Sequence, residues 1–125
     1  MDHETPSQAK LDYYNVSRED VSNVLNLLFE TLVDRPHVYM CNVIDRMSRT
    51  DINARDLIKS EIYDEMRRIS GDIACNTMYG AYLVASVEEC DVHIPDDFSV
   101  YLNHKKIKFI SDLAFAYDID ITYQF

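Results

Sequence analysis

The sequence predicts an all-α fold of six or seven short helices packed around one hydrophobic central helix at about residues 71–87. Three observations carry this. From Ile73 to Val87 the chain has no charged residue, and only Asn76, Thr77 and Ser86 are clearly polar. A stretch without a solvent face at helical or strand spacing must be covered on nearly all sides. Elsewhere apolar residues recur three and four apart. Finally, two Gly and three Pro in 125 residues leave little material for hairpins.

The uncharged stretch is too short for a bilayer, which takes roughly 20 apolar residues. It is longer than an ordinary strand, and Ala74, Met78, Ala81, Leu83 and Ala85 favour helix. Gly80 costs about 1 kcal/mol of helix propensity, which makes sense if another backbone packs close to it.

Taken in order, residues 1–12 are polar and unpatterned and read as a flexible lead-in; 13–125 reads as one domain. Ser17-Arg18-Glu19-Asp20 is a capping-box variant, with Val16 and Val21 placed for a hydrophobic staple. Val21, Val24, Leu25, Leu28, Phe29 and Leu32 then stripe a helix to about Val33. Pro36 suits the first turn of a second helix, striped by Met40, Val43, Ile44 and Met47 and ending near Arg49. Asn53 is the expected N-cap of a third, striped by Leu57, Ile58, Ile62, Met66 and Ile69 opposite Lys59, Glu61, Asp64 and Arg68. Ser70-Gly71 then punctuates before the central helix.

After Cys90 the chain restarts at Pro95-Asp96-Asp97, acidic where a helix N-terminus favours it. Phe98, Tyr101 and Leu102 belong to a short helix, and Ile107, Ile110, Leu113, Ala114 and Tyr117 to a further one. Ile119, Ile121, Tyr123 and Phe125 alternate with polar residues and read as extended.

The formal net charge of −10, from 22 acidic and 12 basic residues, repels phosphates and anionic membranes. Lys105, Lys106 and Lys108 form the one basic cluster, too short to reverse that field. Nucleic acid is therefore not an expected partner. Cys41, Cys75 and Cys90 are odd in number, far apart and in apolar segments, so reduced buried thiols are expected. The start of the chain has no signal-peptide pattern and the end no membrane anchor, which predicts a cytoplasmic protein. His3, His37, His93 and His104 are scattered, without metal-ligand spacing. No phosphate-binding glycine loop or catalytic constellation is visible, so neither an enzyme nor a cofactor or metal is expected.

The order of these helices resembles the Bcl-2 family of apoptosis regulators. The likeness is sharpest at Glu65-Met66-Arg67-Arg68-Ile69-Ser70-Gly71-Asp72-Ile73-Ala74, where the family's first homology motif has Glu-Leu-Phe and then Asn-Trp-Gly-Arg. Gly71 would be the motif Gly, and Tyr79-Gly80 the aromatic-Gly pair of the following helix. Ile44-Asp45-Arg46-Met47 resembles the tail of the family's second helix, Tyr101-Leu102-Asn103 its sixth, and Phe109-Ile110 falls where many members have Trp-Ile. The match spans roughly residues 36–117. The motif's Asn-Trp is absent, Asp72 replaces its Arg, and the second motif is reduced to Ala114-Phe115. Short divergent members of this kind resemble those encoded by large DNA viruses.

The resemblance implies a Bcl-2-like helical bundle. Its groove would be lined by Met40, Ile44, Met47, Ile62, Met66, Cys75 and Tyr79, with Glu65, Gly71 and Asp72 at the motif. It would take the BH3 helix of pro-death partners of Bim, Bak or Bax type, making the chain anti-apoptotic. Helix-in-groove binding seats apolar anchors in pockets while a charged pair fixes register, and methionines repack readily around ligands. Asp72 cannot pair with the ligand's Asp, so Arg46 or Arg68 is the expected cation. The alternative implied function is an adaptor of the same fold that blocks innate-immune signalling through protein contacts. Self-association as a homodimer and a peripheral presence at mitochondria through partners complete the expectations.

Overall fold

The computed structural model describes residues 6–35, 38–70 and 96–121, and among these every regular element is a helix. They are α1 (Pro6–Tyr14), α2 (Arg18–Asp34), α3 (Met40–Asp45), α4 (Ile52–Ser70) and α5 (Asp96–Ala116). The uncharged stretch Ile73–Val87 lies outside the described residues.

Helix α2 is the hub, packing against α3, α4 and α5, while α1 and α3 also pack on α4. Its six striped residues, Val21, Val24, Leu25, Leu28, Phe29 and Leu32, are all buried. Fully burying such side chains contributes roughly 1.5–3 kcal/mol each. Ser17 caps the helix as the sequence indicates: it is extended (φ −89°, ψ 159°) and its hydroxyl accepts from the Asp20 N–H at 3.1 Å. Val16 and Val21 both join the core. Across the bundle from α2, α4 contributes buried Ala54, Leu57, Ile58 and Ile62, and α5 contributes Ile110, Leu113 and Ala114.

The structure corrects several sequence expectations. The lead-in is not loose from Pro6 onward. Residues 6–14 form α1, anchored by buried Leu11 and by an ion pair from Lys10 Nζ to Glu61 Oε1 at 2.9 Å. Helix α3 is shorter than its stripe suggests, beginning at Met40 and closing at Asp45. Arg46 then leaves helical geometry, and Thr50 Oγ1 donates to the Met47 carbonyl at 2.8 Å in the turn that follows.

Asp51, not Asn53, caps α4, its Oδ1 accepting from the Ala54 N–H at 3.0 Å. The helix therefore begins one residue before Asn53, which is itself helical. The two C-terminal helices are one, α5, because nothing between Leu102 and Ile107 forbids helix. The chain beyond it is non-helical through Ile121, and Ile119 is buried against the core, while Tyr123 and Phe125 lie outside the described residues.

Two polar residues are drawn inward, one of them Glu61, which was expected opposite the apolar stripe. The Glu61 side chain is only 12% exposed, and Lys106 is fully buried on α5. The apparent basic cluster is thus divided, since Lys108 is exposed and paired with Asp112 at 2.8 Å.

Candidate functional site

Of the groove residues read from the sequence, those that the structure describes are not gathered at one open surface. Met40 and Ile44 on α3 and Ile62 on α4 have no exposed area, so the α3–α4 side is closed over them. Glu65 and Met66 on α4 are half-buried, and Met66 packs against the core. Gly71, Asp72, Cys75 and Tyr79 lie outside the described residues.

The open concavity is instead on the other flank of α3, where it faces α2. It encloses about 570 Å³, a volume typical of ligand clefts. Its floor includes Leu27, Val38, Val43 and Met47, and Arg35, Arg46 and Arg49 stand at its edges. Of the residues expected to bind a partner, Arg46 and Met47 are here.

Local chain chemistry explains this shape. Leu27 lies off the buried stripe of α2 and is 42% exposed, although Val24 and Leu28 beside it have no exposed area. Leu27, Thr31 and Arg35 are four apart and so share one helix face. The end of α2 is tied by the Arg35 N–H donating to the Thr31 carbonyl at 2.8 Å. The early end of α3 leaves Arg46, Met47 and Arg49 in a turn rather than on a helix, and that turn forms the far wall.

Electrostatically the concavity is unlike its surroundings. Among the described residues no carboxylate lines it, in a chain with 22 acidic residues. Asp45, next to Arg46, is held by Lys59 at 2.8 Å, and that hydrogen bond raises the Lys59 pKa above its usual value. Arg35, Arg46 and Arg49 make no side-chain hydrogen bond or ion pair among the described residues. Arg68, the other expected cation, is exposed but occupied: its Nε donates to Glu65 Oε1 at 2.7 Å.

A second, smaller concavity of about 360 Å³ is walled by Tyr14, Asp56, Lys59, Tyr63 and Arg67. Its cations are engaged, Lys59 by Asp45 and Arg67 by Asp64. Among the described residues neither concavity is lined by a cysteine or a histidine. Cys41 is a free, buried thiol, and burial pushes its pKa up to about 11, which leaves it protonated and unreactive at neutral pH. Among the described residues no group of His, Cys, Asp and Glu could hold a metal ion, and no helix is long and apolar enough to cross a membrane.

The sequence reading missed Leu27, Arg35 and Arg49. A signal for Leu27 was present: a large apolar residue one position before the buried stripe residue Leu28 and off that stripe. The arginines carry none, because their convergence depends on how α2 and the turn after α3 meet. Compared with protein-family models, with curated proteins and with solved structures, the chain matches none of them significantly.

Proposed function

We propose that this chain is a Bcl-2-like, non-enzymatic, anti-apoptotic protein that sequesters the BH3 helices of pro-death partners of Bim, Bak or Bax type. The observation that supports this most directly is Arg46. Without a side-chain partner among the described residues, it lines a concavity that also contains the apolar residues Met47 and Val43. Helix-in-groove recognition needs this combination, an apolar cleft for anchors and one cation to fix register against a ligand carboxylate. The all-helical architecture of the described residues and the Bcl-2-like order of the helices in sequence support it further.

A panel of BH3 peptides titrated into the full chain by calorimetry tests the reading. Saturable binding of at least one peptide, with a negative heat-capacity change from apolar burial, is the expected result. No binding by any peptide overturns it.

A further inference from the structure

We propose that the concavity between α2 and α3 takes an amphipathic helix with an acidic polar face from a protein partner. Arg35, Arg46 and Arg49 would grip its carboxylates, and Leu27, Val43 and Met47 would receive its apolar anchors. This rests on the helix-binding part of the reading above and goes beyond it in the partner's chemistry: several carboxylates rather than one.

Charge is the first argument. The chain carries −10 overall, yet among the described residues this patch is lined by three arginines and no carboxylate. Lys10, Lys59, Arg67, Arg68 and Lys108 each hold an acidic side chain within the molecule. A cation at a helix C-terminus complements the helix dipole, which accounts in part for Arg35 and Arg46. It accounts neither for Arg49 nor for the lack of counter-charges among the described residues.

Shape is the second argument. Leu27, Thr31 and Arg35 run along one face of α2 over eight residues, about 12 Å at 1.5 Å per residue. A guest helix presenting anchors at i, i+3 or i+4, and i+7 spans about the same length. Leu27 at 42% exposure is the apolar surface such a helix would cover. A nucleic acid would meet the same arginines but also the field of a strongly acidic chain. Tyr39 is the one aromatic residue in the lining, too little for base stacking.

The test uses the full chain and two fluorescein-labelled helical peptides with leucines at i, i+3 and i+7. One carries glutamates on its polar face and the other lysines at the same positions. Anisotropy is read at low and at physiological salt. The acidic peptide should bind, with affinity falling as salt rises, and the basic one should not. R35E/R49E should weaken the acidic peptide about tenfold, as expected for reversed rim charges, and R35Q/R49Q by less, with helix content checked by circular dichroism.

Equal binding of the two peptides, no binding of either, or an unaffected R35E/R49E variant overturns the proposal. So does competition by a DNA duplex as effective as unlabelled peptide, which would mark a general anion patch. A self-association that R35E/R49E abolishes also overturns it, because the occupant is then a second copy. BH3 binding that ignores R35E/R49E leaves the proposed function standing and removes this inference. Acidic-peptide binding without any BH3 binding does the reverse.

Discussion

The Tyr117 hydroxyl donates to Glu61 Oε2 at 2.5 Å, joining residues 56 positions apart. Tyr117 is almost wholly buried. Burial, and then the bond to Glu61, push its pKa above the usual phenol range. The other carboxylate oxygen accepts from Lys10 at 2.9 Å, and the Tyr117 carbonyl accepts from Arg18 Nε at 2.7 Å. Four residues therefore tie α1, the start of α2, the middle of α4 and the chain just beyond α5. A hydrogen bond to a charged acceptor contributes about 1.5–3 kcal/mol, whereas a half-exposed ion pair gives about 1 kcal/mol or less. Tyr117→Phe should accordingly cost more stability in urea unfolding than Lys10→Ala. Equal costs would mean that the buried bond adds nothing over the exposed one.

Two helices end on left-handed residues that are not glycine: Asn15 and Asp118, each at φ 56°. After α1, the Asn15 and Val16 N–H groups donate to the Asp12 and Leu11 carbonyls at 3.2 and 3.0 Å. After α5, those of Asp118 and Ile119 donate to Phe115 and Ala114 at 3.1 and 2.8 Å. Both are Schellman closures, with the following Val16 or Ile119 packed on the core. Asn and Asp tolerate this conformation better than other residues with a Cβ, though less well than Gly. Asp118→Gly should leave the melting temperature unchanged or raise stability by up to about 1 kcal/mol, and Asp118→Val should lower it by about 1–2 kcal/mol. A Val variant as stable as the Gly variant would contradict the role given to this position.

Local signals were legible where the determining partners are local. Helix α2 could be read almost to the residue, because its cap, its staple and its stripe all lie within 17 positions and agree. The cap of α4 was read two residues late because Asp51 and Asn53 are both good caps, and the choice depends on how the turn from α3 arrives. Lys106 was read only as one of three clustered lysines. At i, i+4, i+7, i+8 and i+11 it shares a face with Ile110, Leu113, Ala114 and Tyr117, so the spacing placed it inside while its charge suggested otherwise. The Glu61–Tyr117 bond and the three arginines of the concavity have no local pattern, since each needs helices far apart in sequence to converge.

Arg46 and Arg68 were equal candidates in the sequence, and the structure separates them. Arg46 lines the concavity and has no side-chain partner among the described residues, whereas Arg68 is bonded to Glu65 in the last turn of α4. If Arg46 fixes the register of a BH3 helix, Arg46→Glu should weaken peptide binding about tenfold or more. Arg68→Glu should change it less than about threefold. Calorimetry on both variants decides, and similar losses, or a larger one for Arg68, would remove Arg46 from that role.

Lys106 gives the fold a pH signature. Its ammonium is buried on α5, with a long 3.5 Å contact from Nζ to the Val38 carbonyl. Burial lowers its pKa from 10.5 to about 8. Between these values the unfolded chain holds a proton that the folded chain does not, so raising the pH favours the fold. Below about 8 both states are charged and the folded one bears the cost of burying the ammonium. Cys41 and Tyr117 act in the opposite sense. Their raised pKa values keep protons on the folded chain that the unfolded chain releases, from about 9 and about 10 upward. Wild-type stability should therefore rise from pH 8 to 9 and then level off or fall. Lys106→Met isolates the lysine, because replacing a buried charge by an apolar group of similar size is often stabilising. The variant should be more stable than wild type at pH 7, and its advantage should shrink by about 2 kcal/mol by pH 9.5. Parallel stability curves for the two proteins across that range would show that the Lys106 proton is not linked to folding.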